Sequence, residues 1–208
     1  MADASAGQKG KDWDVRYRES AGALFGDAPN DYLRMVSARE GFAPVSALLI
    51  ADGDGRNGTW LATRGLAVTA LDLSEEATRL ARARDAASGV TVERVCADVT
   101  IWTPQDRAWD AAFVFYLQGP SALRRAGVET ARAALKPGGW LVLEGFASGG
   151  DLNIGPSTTA KRYDLAELRT WCEGLEIVEL VSGEVLLDEG ARHNGPAHVV
   201  RLLARRSA

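Results

Sequence analysis

Short apolar runs alternate with helix-length amphipathic stretches from residue 47 onward. Ala47–Ala51, Ala67–Asp72, Thr91–Cys96, Ala111–Tyr116 and Trp140–Phe146 are brief and mostly aliphatic or aromatic, the pattern of strands buried on both faces. Between them, Asn57–Arg64 (closed by Gly65), Ser74 to about Ser88, and Ser121–Leu135 read as helices. Ser74 is placed to cap its helix, with Glu75 and Glu76 in the first turn. Lys136-Pro-Gly-Gly139 reads as a turn. A loop over 147–162 and a helix at about Asp164–Glu173 follow. Ile177–Asp188 and Ala197–Ala204 then form two antiparallel strands, with Asn194-Gly195 as the hairpin turn. Upstream, residues 12–40 hold Trp13, Arg16, Tyr17, Phe25 and Tyr32 without strand alternation. They predict a short helix near 12–18, a loop around Phe25–Pro29, and a helix from about Asp31 to Glu40 capped by Asn30 or Asp31. Small polar residues over 1–11 predict a disordered tail, leaving 12–208 as one domain. The pattern as a whole predicts an α/β fold: a mostly parallel sheet, helices on both faces, and an antiparallel edge.

Composition narrows the functional classes. The chain has 208 residues, 46% of them hydrophobic and 25% charged, with a net charge of −4. That length can bury one core, and the charge argues against a general nucleic-acid binder. No run approaches the ~18 apolar residues of a membrane span, and residues 1–10 lack the apolar segment of a secretory signal. Cys96 and Cys172 have neither metal-ligand spacing nor a disulfide pattern, and Cys96 is expected in the core. These features predict a cytoplasmic protein with a small-molecule substrate, no nucleic-acid partner, no membrane and no metal.

The chemistry concentrates where the first strand meets its helix. Leu49-Ile-Ala-Asp-Gly53-Asp-Gly55-Arg-Asn-Gly58 is an apolar strand running into a glycine turn, and the next strand ends in Asp72. Such a βαβ unit binds nucleotides: glycines admit a close backbone approach, a helix start offers N–H groups, and a terminal acid accepts ribose hydroxyls. Two templates fit. Gly53, Gly55 and Gly58 satisfy the dinucleotide fingerprint G-x-G-x-x-G. The S-adenosylmethionine loop, acid-x-Gly-x-Gly-x-Gly, is matched with Leu49 in place of its acid and Ala51 in place of its first glycine. The rest of the chain separates them. No tyrosine has a lysine four residues on, as a short-chain dehydrogenase would require, and there is no room for a second substrate domain.

The chain resembles the class I S-adenosylmethionine-dependent methyltransferases, and within that group is similar to the branch that includes the tellurite-resistance and thiopurine methyltransferases. The residues that carry the resemblance are Trp13-x-x-Arg16-Tyr17, Leu24-Phe-Gly-x-x-Pro-Asn30, Asp52-Gly-Asp-Gly-Arg-Asn57, Leu71-Asp-Leu-Ser74, Ala97-Asp98, Leu135-Lys-Pro-Gly-Gly139 and Glu189-Gly-x-x-His193-x-Gly195. The resemblance implies a Rossmann-like seven-stranded sheet, strands in the order 3-2-1-4-5-7-6 with strand 7 antiparallel, and S-adenosylmethionine as cofactor. It implies cofactor contacts from Trp13, Arg16, Ala51, Asp52, Gly53, Gly55, Arg56, Asn57, Asp72, Leu73, Asp98, Val99 and Tyr116. Asp72 would take the ribose and Asp98 with Val99 the adenine. Arg56 would pair with the methionine carboxylate or stand solvated beside Asn57 as the helix cap, and Asp52 would replace the missing acid. Tyr116 and His193 are the candidate catalytic residues, and the segment 12–40 a lid. Lys161 and Arg162 hint at an anionic acceptor. A nicotinamide-dependent oxidoreductase, and a protein that binds adenosylmethionine without turnover, remain as alternatives.

Overall fold

The structure, a computed structural model, describes residues 2–20, 24–150 and 153–208. Strands β1 (Ser46–Ile50), β2 (Ala67–Asp72), β3 (Glu93–Cys96), β4 (Trp109–Phe115), β5 (Leu135–Phe146), β6 (Leu175–Asp188) and β7 (Asn194–Arg206) form one sheet in the order β3-β2-β1-β4-β5-β7-β6. The first five are parallel, and β7 runs antiparallel to both β5 and β6. The predicted order and the antiparallel seventh strand are both present.

Alternation of side chains along the central strands divides the core into two layers. Leu48, Ile50, Ala112, Val114, Leu141 and Leu143 point to one face, where α5 (Ser121–Ala134) and α6 (Leu165–Trp171) supply Val128, Ala131, Leu168 and Trp171. Their neighbours Ala47, Leu49, Phe113 and Val142 point to the other, against Tyr32, Leu33 and Val36 of α2 (Asp31–Ser37) and Leu61 of α3 (Arg56–Thr63). Over residues 47–50, 111–115 and 140–143 these strands are apolar at every position because both faces are covered. Asn30 is the α2 cap, its side chain accepting the Leu33 N–H at 2.9 Å.

Helix α1 (Ala2–Glu19) packs along α4 (Glu75–Ala87). Asp14 fixes the contact: its Oδ1 accepts from Ser74 Oγ at 2.5 Å and from the Glu76 N–H at 3.0 Å, at the start of α4. A carboxylate there meets free N–H groups and the positive end of the helix.

Four expectations need correction. A disordered tail was expected over 1–11 and a helix over 12–18; the helix runs Ala2–Glu19, with Met1 outside the described residues. Docking at Asp14 and at Gly10, where a Cβ would lie 3.3 Å from the Leu73 carbonyl, supports a stretch free of proline. Lys136–Gly139 is an irregularity inside β5: Leu135 already pairs with Trp109, and the register shifts before Ala111. Asn194-Gly195 is not the hairpin turn, because Asn194 pairs with Asp188 and Gly195 with Leu187. Residues 189–193 make the turn, closed by the Glu189 N–H on the His193 carbonyl at 2.8 Å, with Gly190 at φ +78°. Cys96 is exposed at the end of β3.

Candidate active site

The carboxyl ends of β1, β2, β3 and β4 converge on a cleft lined by Gly53, Asp72, Val99 and Tyr116 among others. It lies where the strand order reverses between β1 and β4, the place where open α/β sheets bind ligands. Two residues at its edge hold left-handed backbone without being glycine: Ala51 at φ +58° and Tyr116 at φ +51°. Each costs on the order of 1 kcal/mol or more, and such strain clusters at ligand sites.

The floor is acidic. Asp72 ends β2 and accepts two backbone N–H groups, Gly53 at 2.8 Å on one oxygen and Ser74 at 2.9 Å on the other. Burial outweighs those hydrogen bonds and raises its pKa. Each oxygen keeps an accepting lone pair. Gly53, at φ +61°, is covered by Tyr17, whose hydroxyl would lie 2.4 Å from a Cβ there. Asp54 is buried against Arg84 at 3.3 Å, and burial raises it too. Opposite stand Leu73, Val99 and Leu123, with Asp98 at the rim turning on the Thr100 N–H at 2.8 Å.

An aromatic arc closes one side. Trp13, Tyr17, Phe25 and His193 follow one another at ring separations of 6.0, 6.5 and 4.8 Å. His193 also meets Tyr116 at 4.3 Å and Phe146 at 5.2 Å. It is 2% exposed, and its Nδ1 has no hydrogen-bond partner among the described residues. Burial lowers its pKa more than the neighbouring Glu189 carboxylate raises it, so the ring is neutral near pH 7.

Of the residues singled out from sequence, Trp13, Ala51, Asp52, Gly53, Arg56, Asn57, Asp72, Leu73, Asp98, Val99, Tyr116 and His193 all line this cleft. Arg16 lines an adjoining one, its guanidinium 4.7 Å from the Trp13 ring. Gly55 lies behind the wall as the cap of α3 at φ +88°, and a Cβ there would meet Arg94 at 2.6 Å and Ala81 at 2.8 Å. Three polar side chains are already engaged. Asp52 pairs with Arg94 at 2.5 Å and accepts the Gly58 N–H at 3.2 Å, while burial, the larger effect, pushes it up to about 6. Arg56, far from solvated, is 6% exposed and pairs with Glu189 at 2.5 Å. Asn57 is not the helix cap; its Oδ1 accepts the Asn30 N–H at 2.8 Å.

Two further carboxylates matter: Glu144, which the sequence did not single out, and Glu189, which was part of a family motif but was given no role in the site. Glu144, in the apolar run Leu141-Val-Leu-Glu144, accepts from Tyr116 Oη at 2.9 Å, Asn30 Nδ2 at 2.7 Å and Arg201 Nε at 2.6 Å. Glu189 accepts from Asn30 Nδ2 at 3.0 Å and the Asp31 N–H at 3.2 Å. The signal for Glu144 was an acid inside a core strand, which must be paired when buried.

Among the described residues no helix is long and apolar enough to cross a membrane, and no group of three or more His, Cys, Asp or Glu could hold a metal ion.

Residues 47–139, a little under half the chain, match the family described as a methyltransferase domain. No curated protein matches significantly. Among solved structures, the chain is similar to a protein studied in the conversion of a disulfide bond into a thioacetal group during echinomycin biosynthesis (TM-score 0.73, 20% identity, 96% of this chain and 93% of that one). It is similar to TehB from Haemophilus influenzae (TM-score 0.70, 16% identity, 86% of this chain and 62% of that one). It is also similar to magnesium protoporphyrin IX methyltransferase from Synechocystis with bound S-adenosylhomocysteine (TM-score 0.64, 16% identity, 85% of this chain and 80% of that one). Residues 47–139 thus match a methyltransferase-domain model, and the chain as a whole has a fold shared with solved S-adenosylmethionine-dependent methyltransferases.

Proposed function

We propose that this protein transfers the methyl group of S-adenosylmethionine to a small-molecule acceptor by in-line displacement. The observation that carries the reading is the cleft at the β1/β4 reversal, where the Gly53 backbone and the Asp72 carboxylate face the same space. The cofactor supplies a methyl group on a positively charged sulfur. Asp72 has the spare acceptor lone pairs for two ribose hydroxyls. Asp98 and the apolar Leu73 and Val99 suit a purine with its amino group. Asp54 and Asp72 give the cleft a negative floor that favours a cationic ligand. Gly53 and Ala51 contribute backbone, and Trp13 covers the opening from α1 as part of a lid. Gly55 and Asp52 act from behind, by holding the loop shape.

His193 stands where this cleft meets the adjoining one, with the Tyr116 ring 4.3 Å away inside the first cleft, and these two are the groups that would face the reacting atoms. Their aromatic faces suit a sulfonium. The enzyme gains most by fixing the acceptor in line and excluding water. A thiol or chalcogen anion needs little further help, whereas an oxygen or nitrogen acceptor needs a base, and neutral His193 is the group placed to be one. The Glu189-Gly-x-x-His193 turn and the likeness to TehB support placing the protein near the tellurite-resistance and thiopurine branch.

Calorimetric titration with S-adenosylhomocysteine, and in parallel with NADH and NADPH, tests this reading. Micromolar binding of the first alone is expected. Binding of a nicotinamide nucleotide in its place would overturn it.

A further inference from the structure

Next to the proposed cofactor cleft, and joined to it along Trp13, Phe25, Leu73, Gln118, Leu123 and His193, lies a second space of about 680 Å³. We propose that it takes an organic anion: an acceptor with an apolar or aromatic body and one negatively charged group. This deepens the methyltransferase reading above and rests on it.

The body is indicated by the walls. Trp13, Leu24, Phe25, Leu123 and Ile154 surround a volume far larger than a bare oxyanion needs. The wall around Ile154 is held in shape from behind. Arg162 is 1% exposed, and its guanidinium donates to the Pro156 carbonyl at 2.9 Å and the Ile154 carbonyl at 2.6 Å. The expectation that Arg162 would meet an anionic acceptor therefore passes to its neighbour Lys161, which does line the cleft.

The charge is indicated by the rim. Arg16 from α1, Lys161 from the turn before α6, and Arg192 from the β6–β7 turn come to this one space from three separate elements. Among the described residues none of the three lies within ion-pair distance of a carboxylate. Elsewhere in the chain arginines are committed: Arg56 to Glu189, Arg84 to Asp54, Arg94 to Asp52 and Asp85, Arg124 to Glu167, Arg201 to Glu144. Asp12 is the one carboxylate among the lining residues. In a protein of net charge −4, three cations gathered, among the described residues, without an ion-paired carboxylate around a space walled in part by Trp13, Phe25 and Ile154 match an anionic ligand. The start of α5 adds to the same sign, since Pro120 offers it no side-chain cap and lines the cleft with Gly119. Anchored at that rim, the acceptor would extend inward toward His193, where the two spaces meet.

The test uses protein saturated with S-adenosylhomocysteine and two probes, 2-naphthylacetate and its neutral amide, titrated at low and high salt. The acid should bind about tenfold more tightly than the amide at low salt. In the variant Lys161→Gln/Arg192→Gln, which changes two exposed side chains, that preference should fall to about twofold. Equal binding of acid and amide, binding of neither, or a preference that survives the double variant would overturn the proposal. Failure of S-adenosylhomocysteine to bind is a separate result: it removes the cofactor reading, while the acid-to-amide comparison on the free protein still reports on this cleft.

Discussion

Arg56 and Glu189 form a buried ion pair, Nη2 to Oε2 at 2.5 Å, with 6% and 4% of their side-chain surfaces exposed. The pair ties the first turn of α3 to the C-terminal hairpin. Arg56 also donates to the Ala28 carbonyl at 3.1 Å, so the segment leading into α2 is clamped as well. Removing one partner leaves the other charged and dry, which costs about 3–5 kcal/mol. Arg56→Met should therefore lower the unfolding free energy by that amount in urea titrations. Arg56→Met/Glu189→Gln should recover a large part of it. Simple additivity of the two single changes would show that the pair is not the cause.

The same carboxylate sets the acid limit of stability. Burial would raise Glu189, but the His193 imidazole beside it and the Arg56 guanidinium outweigh burial and hold it at about 2, against an ordinary value of 4.5. A depressed acid stabilises the fold above its unfolded pKa, and that contribution is lost as pH falls from about 4.5 toward 2. A shift of this size corresponds to about 3 kcal/mol. His193 acts in the same direction, since a lowered histidine begins to cost stability as pH drops below 6.5. Unfolding midpoints measured from pH 7 to pH 3 should fall less steeply in Glu189→Gln than in the parent. Parallel curves would rule Glu189 out as the titrating group.

The glycine turn shows what a sequence can and cannot carry. The strands themselves, the position of Asp72 and the strand-to-helix turn were legible because apolar runs and helical periods are local, whereas the strand order came from the family resemblance. Gly53 and Gly55 look alike in sequence, yet only Gly53 faces the cleft, while Gly55 makes room for Arg94 and Ala81. Arg56 and Asp52 were read as free charges. Their partners Glu189 and Arg94 lie 133 and 42 residues away, and no local pattern announces them. Asn194-Gly195 carries the usual hairpin signal, but the longer turn ending at His193 sets the register.

Gly53→Ala should lower S-adenosylhomocysteine affinity through two separable effects. The new Cβ would lie 2.4 Å from the Tyr17 hydroxyl, and the backbone is held at φ +61°. Tyr17→Phe removes the hydroxyl, so Gly53→Ala/Tyr17→Phe should bind more tightly than Gly53→Ala alone. The backbone cost, on the order of 1 kcal/mol, should persist in both. Calorimetry on the four proteins checks this, and an unchanged affinity in Gly53→Ala would remove Gly53 from the binding surface.

Asp72→Ala should abolish measurable cofactor affinity while leaving a folded protein. The change deletes the acceptor pair for two hydroxyls and also frees the Gly53 and Ser74 N–H groups. Asp72→Asn keeps one accepting oxygen and should lose about tenfold or more in affinity. Full affinity in Asp72→Ala would sink the ribose assignment.

His193 offers a way to tell base from scaffold. Its ring is neutral near pH 7, and burial holds its pKa below 6.5, so a reaction that uses it as base should keep its rate through pH 6.5 and decline only below it. The replacement His193→Gln keeps a polar side chain of similar size and cannot take a proton. With an oxygen acceptor, general-base loss should lower kcat by about 10²- to 10⁴-fold. With a thiol acceptor ionised at the assay pH, the loss should stay within about tenfold, because the nucleophile arrives already charged. The variant should also lose the acid limb of the oxygen-acceptor profile. Equal losses for both acceptors, with the limb retained, would make His193 a positioning residue, held by Phe25, Tyr116 and Phe146 to shape the junction of the two clefts.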